Sequence, residues 1–121
     1  MAVPANVPIN IRRWRDFLFF VNEKTAQGNP WDLRGYVICM AVKKAITDPD
    51  AQALYLSENF YSSNLAFGQY SFLIPHTTTA GSGWAIASAV YEVVYKDPTN
   101  IISTRIEGTA TIQPSVVVVV P

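Results

Sequence analysis

Apolar and polar residues alternate along most of this chain with a period of two, the spacing that sends successive side chains to opposite faces of a β-strand. From Tyr36 to Lys44, the residues Tyr36, Ile38, Met40 and Val42 share one parity, and Val37, Cys39, Ala41 and Lys43 share the other, which turns polar only at its end. That predicts a strand with one face in the core and the second at least half covered. Trp14 to Val21 is rich in aromatic residues and ends in the polar run Asn22 to Pro30, which contains Gly28, so it reads as the first main strand. Phe67 to Ile74 sets Tyr70, Phe72 and Ile74 against Gln69, Ser71 and Leu73, and Pro75 stops the ladder because it has no N–H to donate.

Ala87 to Tyr95 and Ile101 to Ile112 flank Lys96-Asp97-Pro98-Thr99-Asn100. Pro98 fixes its own φ and Asp97 can bond local backbone, so the pair reads as a β-hairpin. Tyr91, Val93 and Tyr95 would face the core with Ile106, Ala110 and Ile112, leaving Glu92, Lys96, Arg105 and Glu107 for solvent or cross-strand pairing. Asp48 to Leu54 reads equally as a loop or as a short helix with Asp48 as N-cap and Pro49 at its first position, leading into a strand at Leu54 to Ser57. Thr77 to Gly83 reads as a loop with room for one helical turn. The fold class that follows is all-β: a single antiparallel sandwich of six to seven strands with at most one short helix. Tyr36, Ile38, Met40, Phe72, Ile74, Tyr91, Val93 and Ile112 are expected to share one core.

A length of 121 residues suits one domain, residues 1–121, because a second core would leave too little buried surface for each. Residues 1–10 form a short N-terminal segment and 115–121 a C-terminal β-arm. Half the residues are apolar, and nine Lys+Arg balance nine Asp+Glu, so there is no basic face of the kind that replaces counterions on nucleic acid. Arg12, Arg13 and Arg15 read as a solvated edge. Cys39 is the one cysteine and lies in an apolar run, which suits a core thiol. No window reaches the ~18 apolar residues of a membrane helix, and the start lacks a signal peptide's pattern, so a soluble chain made in the cytoplasm is expected.

The residues offer little chemistry. His76 is the one histidine and, with one distant thiol, does not make up a zinc ligand set. A Ser-His-Asp relay would need His76, and no Gly-x-Ser-x-Gly elbow is present. Carboxylates for glycoside hydrolysis would have to come from Asp16, Asp32, Glu58, Glu92 or Glu107, and any sequence nominates two of so few. Gly81-Ser82-Gly83 lacks the following Lys and the strand-to-helix setting of a phosphate loop. The expectation is therefore no enzyme, no metal, no cofactor and no small-molecule substrate. Trp14, Trp31, Trp84 and six tyrosines could instead stack on sugar rings, although core packing is their commoner use. Trp31 and Trp84 lie beside turn residues and are the candidates for exposed aromatic contact.

Asp32-Leu33-Arg34-Gly35-Tyr36 reads as a loop-to-strand junction: Leu33 is carried into the fold, Gly35 permits a sharp entry, Tyr36 begins the alternation, and Asp32 bonds nearby N–H groups. The order of motifs also resembles a family of small tailed-bacteriophage proteins found among tail, baseplate and fibre components. Arg12-Arg13-Trp14-Arg15-Asp16-Phe17 is similar to its basic opening. Asp32-Leu33-Arg34-Gly35-Tyr36, followed by Met40, is similar to its Asp-Leu-Thr-Gly-Tyr motif, with Arg34 in place of Thr. Tyr91-Glu92-Val93 and Gly108-Thr109-Ala110-Thr111-Ile112-Gln113-Pro114 are similar to its last two strands. The likeness runs from about Pro8 to Val116, and Asp50 to Asn64 has no good counterpart. It implies an immunoglobulin-like β-sandwich serving without catalysis as a virion structural protein of the tail or baseplate, whose partners are other virion proteins and copies of itself. A capsid decoration or head-to-tail joining protein, or a carbohydrate-binding module of a receptor-binding device, is the alternative. Neither nucleic acid nor membrane is an expected partner.

The run Val116-Val117-Val118-Val119-Val120 has the strongest strand tendency in the chain and no charge, so exposed it would invite edge-to-edge pairing. It either extends the final strand over its own core or adds to a neighbouring subunit, and the second is favoured as an assembly contact.

Overall fold

A computed structural model describes residues 4–116, and they fold into two β-sheets packed face to face. The strands in chain order are β1 (Ala5–Asn6), β2 (Ile9–Arg12), β3 (Phe17–Asn22), β4 (Val37–Lys43), β5 (Tyr55–Ser57), β6 (Ser62–Asn64), β7 (Gln69–Ile74), β8 (Ser88–Lys96) and β9 (Ile102–Gln113). One α-helix, α1, spans His76–Thr79, and short 3-10 turns cover Asp50–Gln52, Leu65–Phe67 and Ser82–Trp84. The larger sheet runs β1-β9-β8-β4-β5 with β2 also on β9, and the smaller runs β3-β7-β6.

The period-two segments become the centre of the sandwich. Ile38, Met40 and Val42 of β4, with Tyr91, Val93 and Tyr95 of β8, face Phe19 and Val21 of β3 and Tyr70, Phe72 and Ile74 of β7, all buried in one cluster. Tyr36 packs at its margin. The β8–β9 hairpin forms as expected, from Ser88 opposite Thr111 to Lys96 opposite Ile102. Its turn is held by the Asp97 carboxylate, which accepts from the N–H groups of Thr99 and Ile101 at 2.8 and 2.9 Å and from the Thr99 hydroxyl at 2.7 Å.

Two expectations are corrected. The sandwich is not wholly antiparallel, because β1 and β2 run parallel to β9, with Ala5 opposite Ile106 and Ile9 opposite Ala110. Residues 1–10 therefore contribute strands, which short length and two prolines hid from periodicity, and the described strands number more than six or seven. Gly108 makes this approach possible: a Cβ there would collide with the Val7 carbonyl, which accepts a hydrogen bond from the Tyr91 hydroxyl. The first main strand also starts late, at Phe17, because Trp14 takes a positive φ of 67° and turns the chain from one sheet to the other. Asp48 to Leu54 settles as a loop with a single 3-10 turn, for which Pro49, not Asp48, stands at the N-cap.

Candidate functional site

The Asp32 to Tyr36 motif forms the turn into β4. Asp32 Oδ1 accepts the Arg34 N–H at 3.0 Å, and the Arg34 guanidinium returns to the same carboxylate at 2.7 Å, an exposed pair that holds the carboxyl down to about 2. Leu33 is fully buried, its N–H donating to the Leu65 carbonyl at 2.8 Å, and Tyr36 N–H closes the turn on the Leu33 carbonyl at 3.1 Å. Gly35 sits at φ +87°, where a side chain is strained, and a Cβ there would stand 3.2 Å from Pro98 of the β8–β9 turn. The motif thus joins two loops at one end of the sandwich.

Behind it lies a polar and aromatic cluster that no sequence pattern announced. The β8–β9 register shifts between Val93 and Val94, which face Ile106 and Thr104, so Arg105 is the extra residue of a bulge. Arg105, expected toward solvent or in a cross-strand pair, instead reaches across the sandwich to Glu23 at 2.6 Å and lies 5.3 Å from the Trp31 ring centroid. Trp31 meets Tyr36 edge-on and lies tilted beside Tyr95, and the Tyr95 and Tyr70 hydroxyls are 2.7 Å apart. Burial pushes both phenols far up. The Arg105–Glu23 pair and the Tyr70–Tyr95 hydroxyl contact both run from the large sheet to the small one's side, which suits a brace between sheets.

The remaining candidates are placed as follows. Trp84 is not an exposed contact: it is 3% exposed and closes the core beneath the turn after α1. Trp31 is half-buried under Arg105. Arg13 is not a solvated charge either; it donates to the carbonyls of Thr79, Ala80 and Gly81 at 3.0, 2.9 and 3.1 Å. Asp16 accepts the His76 N–H at 2.7 Å and the His76 ring nitrogen lies 2.9 Å away, so the histidine and this carboxylate fasten α1. Cys39 is half-buried on the outer face of β4, where burial, then Glu58 and Asp50, push its thiol up. Among the described residues no cluster of three metal-ligating side chains occurs, and no helix is long and apolar enough to cross a membrane. Val116 is fully exposed, and Val117 to Val120 lie outside the described residues.

The surface carries exposed apolar side chains and a concavity of mixed polar and apolar lining. On the outer face of the small sheet Leu18 and Phe20 are 51% and 59% exposed, and among the described residues β3 pairs only with β7, so its other edge is open. On the outer face of the large sheet a concavity of about 230 Å³ is lined by Ala41, Ile46, Val90, Glu92, Glu107 and Thr109.

No protein family's sequence profile matches the chain, and no curated protein matches it in sequence. Solved structures do resemble it in shape. Tim-1 superposes with a TM-score of 0.50 at 11% identity, covering 95% of this chain and 98% of Tim-1. A point mutant of the SrpA adhesin from Streptococcus sanguinis overlaps at a TM-score of 0.40 and 11% identity, over 93% of this chain and 54% of that one. The sialic acid binding region of a Streptococcus sanguinis SK1 adhesin, bound to 3'sLn, overlaps at 0.41 and 16% identity, over 94% and 29%. The Tim-1 likeness shows a shared β-sandwich fold and nothing about activity; the two adhesin overlaps are too loose to carry an argument.

Proposed function

We propose that this domain is an immunoglobulin-like sandwich of the variable type that serves as a structural subunit of a tailed-phage virion, in the tail or baseplate, and acts through contacts with itself and its neighbours. The strand order supports the fold assignment: β9, β8 and β4 with β5 beyond them form one sheet and β3, β7 and β6 the other, the arrangement that adds an extra edge strand to the sheet holding the last two strands. One observation carries the functional reading. Arg105, Arg34 and Lys43 pair with carboxylates of this same chain and Asp97 holds a turn, while large apolar side chains such as Phe20, Leu56 and Ile102 stand exposed on sheet faces. Scattered apolar residues are ordinary, but outward apolar residues beside an open strand edge suit association. The virion setting rests on the resemblance of the Asp32 to Tyr36 and Gly108 to Pro114 motifs. A carbohydrate module loses its tryptophan platform, since Trp84 is buried and Trp31 half covered. Mass spectrometry of separated heads and tails tests the proposal: the chain is expected at fixed stoichiometry in tails, and its absence from particles overturns the reading.

A further inference from the structure

We propose that the outer face of the large sheet is a twofold contact with a second copy of this chain, in which Lys96 of each copy enters the concavity of the other beside Glu92 and Glu107. The inference rests on the assembly reading above and names its surface and its partner.

β8 is the central strand of the β1-β9-β8-β4-β5 sheet. Its Ala89, Tyr91, Val93 and Tyr95 are buried, so Val90, Glu92, Val94 and Lys96 point outward. The register extends these positions into rows across the face. Val37, Lys96 and Ile102 make one row, and Cys39, Val94 and Thr104 make the next. Leu56, Ala41, Glu92 and Glu107 make the third. Apolar side chains flank the charges, with Val37, Leu56 and Ile102 44%, 48% and 66% exposed.

Charge selects the occupant. Glu92 and Glu107 stand directly opposite each other on β8 and β9, a like-charge pairing that destabilises a sheet left to itself. Both line the concavity of about 230 Å³. The Thr104 hydroxyl donates to Glu92 at 3.1 Å, and the neighbouring Lys43 ammonium is held by Asp50 at 2.7 Å. Among the described residues no cation pairs with either glutamate, and no carboxylate pairs with Lys96, which is exposed at the end of β8. At alternate positions β8 thus reads Glu92, Val94, Lys96, an order that complements itself when the strand is reversed.

A twofold axis between two such faces, crossing the strands at the Val94 row, makes that reversal. Val94 meets Val94, Cys39 meets Cys39, and each Lys96 meets the partner's Glu92 with Glu107 beside it. Sheets packed face to face keep their strand directions within about 30°, so the rows stay in step across β4, β8 and β9. An axis parallel to the strands would instead set Lys96 on Lys96 and Glu92 on Glu92. The pairing is reciprocal, each copy giving one lysine and receiving one, so the contact closes as a dimer.

The test is a charge exchange in the full chain, read by size exclusion with light scattering. The parent is expected to be dimeric. Lys96→Glu and Glu92→Lys, each alone, are expected to shift the equilibrium toward monomer by at least about tenfold with an unchanged circular dichroism spectrum, because each sets like charges together twice. An equimolar mixture of the two is expected to form a one-to-one heterodimer, since both contacts then join opposite charges. Val94→Glu, which sets two carboxylates against each other on the axis, is expected to be monomeric, and it decides the case should Glu92→Lys fail to fold. A parent that is monomeric at every concentration, single variants that stay dimeric, folded variants that do not combine, or a dimeric Val94→Glu chain overturns the inference. A dimer that behaves as expected while the chain is absent from purified particles sinks the virion reading and leaves this contact standing; a chain found in tails but monomeric in solution sinks this contact alone.

Discussion

Gly35 shows how much one residue settles. Its φ of +87° lies where a side chain costs about 1–3 kcal/mol, and a branched one would also press on Pro98. Gly35→Val is therefore expected to lower the melting temperature and to loosen the two loops that meet there, measured by thermal denaturation. Burial makes the same argument in the core: Ile38 is 1% exposed, and Ile38→Ala should cost about 2–4 kcal/mol by denaturant unfolding. Arg105 belongs to a different class. Arg105→Ala would leave the Glu23 carboxylate, 11% exposed, without its 2.6 Å partner and remove the cation above Trp31. A loss of about 2–3 kcal/mol is expected, accompanied by a change in Trp31 fluorescence. The residue reading had Ile38 inward from its parity alone, yet placed Arg105 outward by the same rule. A single bulge broke the alternation, and bulges leave no mark in a pattern of apolar residues.

At the scale of elements, carboxylates set the turns. Backbone N–H donation from His76 lowers Asp16, the Arg34 side chain lowers Asp32 to about 2, and the Thr99 hydroxyl and N–H groups of the hairpin turn lower Asp97. Each is depressed in the folded chain, so the unfolded chain binds more protons in acid. Their contribution is complete above the ordinary carboxylate value of 3.8 and is lost as pH falls toward about 2. Melting temperatures followed from pH 6 to pH 2 should fall through that window, and Asp32→Asn should flatten part of the fall. β4, β7 and the β8–β9 hairpin were legible because each carries its own alternation and turn chemistry. β1 and β2 were not: two and four residues long, they become strands only by lying along β9, about a hundred positions later. Trp84 was misplaced for a related reason. Gly81-Ser82-Gly83 signals a turn, but not that the turn folds its tryptophan back over the core.

For the whole molecule the β3 edge is the feature with consequences, since among the described residues it pairs on one side only and carries neither the charge nor the proline that usually blunts such an edge, beside exposed Leu18 and Phe20. Leu18→Lys with Phe20→Lys is expected to raise solubility with little change in melting temperature, read by concentration-dependent light scattering, because both side chains already face solvent. The alternation of apolar residues and the turn signals between them were enough to determine an all-β chain with β4, β7, β8 and β9 at its centre, since strand period and turn chemistry are local. Which strand lies beside which, that the N-terminal strands run parallel to β9, that Arg105 crosses to Glu23, that Trp84 is covered and that β3 pairs on one side only among the described residues were decided only by the tertiary structure. Those outcomes depend on contacts between residues far apart in the chain, whose geometry no local pattern encodes.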